Sequence, residues 1–360
     1  MDILAIDLGK FKSAACVLNP VTGEHRAEAI ESTPEAVRGL LERHKPARVV
    51  IEIGAQAGWV CDVCRGLGVR VQVANTMGEA WKWKNTRRKT DQADALKLAK
   101  LSAMESIQAV WVPERRVREW RELIGYRQSL VKRRTMVKNT IRALLTSRAV
   151  PWAGGCRGWT DKSVRALREM ASVDDGQTWR LALRLELDQL DLIRSSLKVV
   201  EEKLDALAQQ DARVALLRTI PGVGPRLAEA VVALIDDPGR FSSGRQVGCY
   251  AGLTPRQYQS GTMNRQGRIS GQGNPLLRCM LVEVGWMGRQ YNPWMEGVYQ
   301  KVLKGSPSRR KIAITALARR ILVVCWAMLR DNRPWTGPAA TPRKTRPAGR
   351  ASATEAQMAA

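Results

Sequence analysis

Ile3-Leu-Ala-Ile-Asp-Leu-Gly9 and Val49-Val-Ile-Glu-Ile53 decide how this chain begins to fold. Each is a short apolar run of strand type that carries one acid near its end, Asp7 in the first and Glu52 in the second. Between and around them, short apolar runs alternate with turn signals. Residues 3–8 and 13–18 precede the turn Asn19-Pro-Val-Thr-Gly23, a helical stretch covers 34–44, and a second helix separates 48–53 from 69–73. A hairpin followed by alternating helix and strand predicts a mixed α/β sheet over residues 1–80.

Two further acids stand in Lys89-Thr-Asp-Gln-Ala-Asp-Ala95, where Asp91 and Asp94, three apart at a helix start, share one face. An acid in a helix's first turn is favoured by the macrodipole alone, so neither is diagnostic by itself. Asp7 and Glu52 differ, because a carboxylate inside a buried run is costly unless paired or metal-bound. A fold that brings two strand ends and one helix face together makes an oxygen-only cage suited to Mg²⁺ or Mn²⁺. Such a cage cuts or moves phosphodiesters.

The chain has 360 residues, 44% of them hydrophobic, with a net charge of +25. That length suits two or three folded domains. No stretch reaches the ~20 uncharged apolar residues of a membrane span, and the start lacks a signal peptide's pattern, so the expected compartment is the cytoplasm. The charge falls in two blocks, +12 over residues 81–148 and +13 over 213–335, which predicts surfaces that track a polyanion. Residues 114–148 and 177–208 are amphipathic and helical, predicting an extended helical connector that forms a coiled coil between protomers. The Pro-, Ala- and Arg-rich tail from 336 predicts disorder.

Lys82, Lys84, Arg87, Arg88 and Lys89 supply cations beside the acids, with Trp81 and Trp83 interleaved as stacking faces or as core. Arg133 and Arg134 belong to the polar side of the first long helix. Ile220-Pro-Gly-Val-Gly-Pro-Arg226 resembles a helix-hairpin-helix turn, in which Gly222 and Gly224 expose backbone N–H groups to a phosphate. A tight interhelix turn and nothing more is the alternative. Tyr258 to Asn274 is dense in Gly, Ser and Arg, with no acid between Asp237 and Glu283. On composition it reads as a nucleic-acid-contacting loop. Arg265, Arg268 and Arg278 there suit a phosphate, which a serine among them could attack. The only histidines are His25 and His44, both in the first domain, so serine activation would fall to arginine or metal. Cys61-Asp-Val-Cys64 has zinc-knuckle spacing but no second pair, and the seven scattered cysteines make no disulfide framework.

Ile6-Asp-Leu-Gly-Lys10, Lys89 to Ala95, Pro221-Gly-Val-Gly224, Tyr250-Ala-Gly-Leu-Thr-Pro255 and Ser260-Gly through Gly273-Asn-Pro-Leu-Leu-Arg278 stand in one order. Through that set the chain resembles, over nearly its whole length, the DEDD transposases of the IS-one-ten and IS-eleven-eleven insertion sequences, relatives of the Piv pilin-gene invertases. The resemblance implies a RuvC-like, RNase H-type domain over 1–113 whose Asp7, Glu52, Asp91 and Asp94 bind Mg²⁺ or Mn²⁺. A helical coiled-coil connector over 114–212 and a mainly helical transposase domain over 213–335 would follow. Ser260 would be the nucleophile, forming a phosphoserine link to DNA, with Ser270 as its neighbouring competitor. The partners implied are donor and target DNA, a structured non-coding bridge RNA, and further copies of the chain in a tetramer, a dimer of dimers with composite sites.

Three rivals make different demands. A hydrolytic RuvC-like nuclease or junction resolvase needs the acids but no serine. An actin-like or sugar-kinase ATPase would use Asp7-Leu-Gly-Lys-Phe-Lys12 as a phosphate loop but leaves the charge blocks unexplained. A non-enzymatic nucleic-acid-binding protein would tolerate alanine at all four acids.

Overall fold

The computed structural model describes residues 2–75, 78, 90–152 and 158–339. They fall into two compact units, Met1–Glu119 and Trp120–Ala360.

The first unit is built on β1 (Ile3–Asp7), β2 (Lys12–Leu18), β3 (His25–Glu31), β4 (Arg48–Glu52) and β5 (Arg70–Ala74), in the order β3-β2-β1-β4-β5. β1 runs antiparallel to β2 and parallel to β4, and β4 runs parallel to β5. This is the mixed sheet the sequence predicts. α1 (Pro34–His44) starts where Thr33 accepts the Ala36 N–H and Pro34 presets the first turn, and it ends at Lys45 in a left-handed conformation. α1 and α2 (Ala57–Gly66) cover one sheet face, burying Val37, Leu40, Leu41, Val60, Cys61 and Cys64 against Leu4, Ile6, Val49 and Ile51. Cys61 and Cys64 are thus core residues, and burial raises both thiols, Cys64 to about 12. α3 (Asp91–Ala103) covers the other face, with Leu98 and Ala99 against Ile3, Ala5 and Val50.

The second unit is helical. α4 (Arg115–Thr146), which begins in the first unit, α5 (Asp161–Ser172) and α6 (Thr178–Gln209) share a core through Ile141, Leu145, Leu167, Leu183 and Leu187. The lower halves of α4 and α6 contribute Ile124, Leu130, Leu197 and Leu204 to the same core as α7 (Ala212–Arg218), α8 (Pro225–Ile235), α9 (Gly244–Tyr250), α10 (Pro275–Gly288), α11 (Pro293–Leu303) and α12 (Arg310–Asp331). The connector and the C-terminal domain therefore pack as one body. α12 is long and apolar enough to cross a membrane, but Leu317, Ile321, Leu322 and Cys325 are buried in that protein core.

The segment expected as a loop is partly a hairpin, β6 (Pro255–Ser260) against β7 (Met263–Ile269). Its strands are exposed on both faces, so the apolar alternation that marks a half-buried strand is missing from the sequence. Trp81, Lys82, Trp83, Lys84, Arg87, Arg88, Lys89 and the tail beyond Ala339 lie outside the described residues.

A carboxylate corner and an exposed serine hairpin

Side chains alternate along a strand. Ile3 and Ala5 of β1 and Val50 of β4 face α3, whereas Leu4, Ile6, Val49 and Ile51 face α1 and α2. Asp7 and Glu52 continue the first set. They follow the register pair Ile6↔Ile51 and so end neighbouring parallel strands, side by side on the α3 face. The direction of α3 is fixed at its other end: Arg48, which opens β4, donates from Nε to Ser102 Oγ at 2.9 Å and from Nη2 to the Ser102 carbonyl at 2.6 Å. Ser102 Oγ in turn donates to Gln72 of β5 at 2.9 Å. α3 therefore runs back against the strands, and its first turn, with Asp91 and Asp94, lies over the edge where Asp7 and Glu52 end. Asp91, Asp94, Leu98 and Leu101 share the helix face, with Leu98 and Leu101 buried and Asp94 half-buried. Thr90 caps the helix by accepting the Ala93 N–H at 3.2 Å. The turn after Asp7 is pinned through the Gly9 carbonyl, which accepts from Ser32 Oγ and Gln56 Nε2, each at 2.8 Å.

The fold thus gathers the predicted acids at one corner, but it does not close them into a cage. Among the described residues no three Asp, Glu, His or Cys side chains are grouped tightly enough to share an ion. The donor set is oxygen alone, which suits Mg²⁺ or Mn²⁺ rather than zinc.

Ser260 ends β6 at the tip of the hairpin, opposite Met263, and Gly261 turns the chain there with φ +53. The hydroxyl is exposed and makes no hydrogen bond to any described residue. Tyr258 pairs with Arg265, so Arg265 stands on the Ser260 face one pair further down, while Arg268 lies where the register shifts between the Gln257–Gln266 and Pro255–Ile269 pairs. Ser270 instead sits where the hairpin closes, its N–H bonded to the Thr254 carbonyl at 2.8 Å. Arg278 directs Nη1 at the carbonyls of Ala251, Gln272 and Gly273, between 3.0 and 3.2 Å, so it fastens the hairpin's base.

The Pro221 to Gly224 turn connects α7 to α8 as a helix-hairpin-helix turn does. Gly222, at φ +102, approaches Gly288 so closely that a Cβ would lie 3.0 Å from its Cα, and buried Asn292 donates to the Pro221 carbonyl at 2.8 Å. Gly224 is exposed. The next residue, Pro225, has no N–H, which leaves the cradle one donor short. Arg133 is exposed and Arg134 half-buried on α4.

Sequence reasoning missed a charge cluster behind this turn, gathered around one buried acid. Glu229 of α8 is 1% exposed and pairs with Arg226 at 3.2 Å; Arg226 also meets Asp205, and Arg127 meets Glu201 at 2.7 Å. An acid midway along an apolar helix was the available signal. Burial raises the Glu229 carboxyl from 4.5 to about 7, with Arg226 opposing. The native state therefore holds this proton more tightly than the unfolded chain does. The contribution is full below the unfolded value and is lost as pH rises through about 7. Glu229→Gln is expected to remove a stability loss on the order of 3 kcal/mol between acidic and alkaline buffer. Urea unfolding across pH checks this: an unchanged pH slope in the variant would refute it.

Residues 4–149 match a family model described as a transposase of the DEDD type, and residues 214–300 match one described as the transposase IS116/IS110/IS902 family. A Sinorhizobium fredii protein described as a transposase is 25% identical over 363 residues, covering 90% of each chain. The pilin gene-inverting protein of Moraxella lacunata is 27% identical over 69% of this chain and 68% of its own. Among solved structures, RuvC of Thermus thermophilus aligns over 31% of this chain and 100% of its own, with a TM-score of 0.24 and 18% identity.

Proposed function

The chain belongs to the IS110-type transposase family, its two matched regions together spanning more than half of it, and from that premise we propose that it is an RNA-guided DNA recombinase using a serine-linked intermediate. The observation that carries the reading is that each unit holds an incomplete half of such a site. One unit offers four acids at a sheet corner without a nucleophile, and the other offers an exposed serine without acids nearby in sequence.

In the proposed step Ser260 Oγ attacks a phosphorus of DNA. One P–O bond forms and one breaks, and the departing strand leaves as a hydroxyl that takes up the proton. The reverse attack by a new strand's hydroxyl releases the serine, so the phosphodiester is conserved and no ATP is consumed. Arg265, on the Ser260 face, is placed to neutralise the phosphate. Asp7, Glu52, Asp91 and Asp94 would hold Mg²⁺ or Mn²⁺, which supplies charge stabilisation at the phosphoryl oxygens. Sequence choice is assigned to a structured non-coding RNA of the element, because the two basic blocks suit backbones and RNA pairing relieves the protein of reading bases.

Composite sites require more than one copy, and α6 offers a seam. Its inner face buries Leu183, Leu187, Leu190 and Leu197, while Leu185, Leu192 and Val199, seven apart, are each at least half exposed on the other side. A heptad-spaced apolar stripe on a long helix suits a matching helix of a second protomer, and a tetramer follows from pairing such dimers.

The test is to incubate the full chain, with its co-purified nucleic acid, with Mg²⁺ and DNA carrying donor and target sites, then quench in denaturant. A covalent protein–DNA adduct at Ser260, identified by mass spectrometry, is expected. Cleavage without any adduct would instead assign the hydrolytic nuclease, and recombination that survives RNase treatment would remove the guide.

A further inference from the structure

The C-terminal unit carries a cleft of about 460 Å³ lined by the end of α10, by α11 and by the start of α12. That volume lies in the range of small-molecule sites. We propose that it takes one unstacked nucleotide of a single-stranded nucleic acid, its base on Trp286 and its phosphate between Arg289 and Arg310. This rests on the reading that the chain handles nucleic acid, but not on the Ser260 chemistry.

Trp286 is 39% exposed at the cleft, a large aromatic face kept in water beside a wall of fixed polar groups. Arg289 is one of these. Its guanidinium lies 4.0 Å from the ring centre of buried Tyr299 and 5.7 Å from that of Trp286, and its Nε meets Glu296 at 3.0 Å. Stacking and the ion pair hold the guanidinium in place, with its terminal nitrogens left to donate. Two amides complete the wall. Gln300 donates from Nε2 to Glu296 at 2.5 Å, which leaves its Oε1 as an acceptor, and the Gln290 side chain makes no hydrogen bond to any described residue. An indole for stacking and amides for the edge are what an extruded base requires.

The phosphate end is equally specified. Arg310 is exposed and begins the 22-residue α12, where the helix dipole adds to its charge. Lys301, Lys304, Arg309 and Lys311 surround it in sequence, with no acid between Glu296 and Asp331. The one nearby carboxylate, Glu296, is matched by Arg289. An acidic peptide would use the arginines but leave the indole and both amides without a role, so a nucleotide accounts for more of the cleft.

DNA and RNA share this base-and-phosphate chemistry, and the test separates them. The full chain is mixed, without divalent metal, with short labelled single strands of DNA or RNA, and anisotropy is followed. Trp286→Ala is expected to weaken binding of at least one strand roughly 5- to 150-fold, the loss of one stacked base, and Trp286→Phe to restore most of it. Photocrosslinking with 5-bromouracil strands should label peptides of α10 to α12, and the strand that labels names the source. Should Trp286→Ala misfold by circular dichroism, Arg310→Gln, at an exposed site, is expected to weaken binding and reduce the salt slope by about one. Full affinity of the folded variants for both strands, or crosslinks lying wholly elsewhere, overturns the proposal. Binding is read without divalent metal and with no strand joining, so a failure of the strand-joining reading leaves this result standing.

Discussion

Ser260→Ala and Asp7→Asn are each expected to lose DNA joining by about 10³-fold or more, and a mixture of the two proteins is expected to regain a measurable part of it. The first removes the attacking oxygen. The second keeps the size and shape of the side chain at the end of β1, beside Glu52 on the parallel β4, but removes the charge proposed to hold a cation. Losing several kcal/mol of charge stabilisation at the phosphoryl group corresponds to that factor. Neither change should unfold the chain, because Ser260 is exposed and Asp7 is half-buried at the last position of β1. Recovery on mixing follows if an intact acid corner of one protomer faces an intact serine of another. Strand-joining assays on the separate and co-refolded proteins check this. Two inactive variants that stay inactive together would place acids and serine in the same protomer, and an Asp7→Asn protein at full rate would sink the metal reading.

The acid corner was legible because each part has a strong local signature. Asp7 and Glu52 end apolar runs that can only be buried strands, and Thr90 before Asp91 marks a helix start. α1 was read at 34–44, where it is observed, because Thr33, Pro34 and the amphipathic pattern agree. What the sequence left unread is structure without burial. β3 carries His25, Arg26 and Glu28 and is mostly exposed at the sheet edge, so it lacks an apolar run. β6 and β7 are exposed throughout and read as loop. The long helices were placed to within a residue or two, but their partner was misjudged in part. Leu183, Leu187 and Leu190 are satisfied inside the chain by α4 and α5, and only the second stripe on α6 remains for another copy. Period reveals an apolar face, not what covers it. The buried Glu229 was overlooked for a related reason, since one acid in an apolar helix is easily taken for a surface charge.

Gly273→Ala is expected to destabilise the second unit by about 4 kcal/mol or more, whereas Gly271→Ala, two residues away, is expected to cost about 1 kcal/mol. Both glycines have positive φ, +90 and +67, so both variants bear the left-handed penalty. They differ in space. A Cβ on Gly273 would lie 1.9 Å from the Tyr250 carbonyl oxygen, whereas one on Gly271 meets nothing within 4 Å. Gly252 shows the same crossing from the other side, its Cβ position 1.8 Å from the Gln272 oxygen. The C-terminal end of α9 and the strand returning from the hairpin therefore touch backbone to backbone, and neither can retreat, because Arg278 holds three carbonyls of the crossing and Asn274 caps α10 through the Leu277 N–H at 3.1 Å. That crossing fixes the hairpin's base, and Ser260 stands at its tip. Relaxing it should displace the serine before the helical core yields, so at a temperature where Gly273→Ala remains folded, adduct formation should already be lost while circular dichroism is unchanged. Equal melting temperatures for the two variants, or adduct yield that falls only in step with unfolding, would show that the hairpin is held by something other than this crossing.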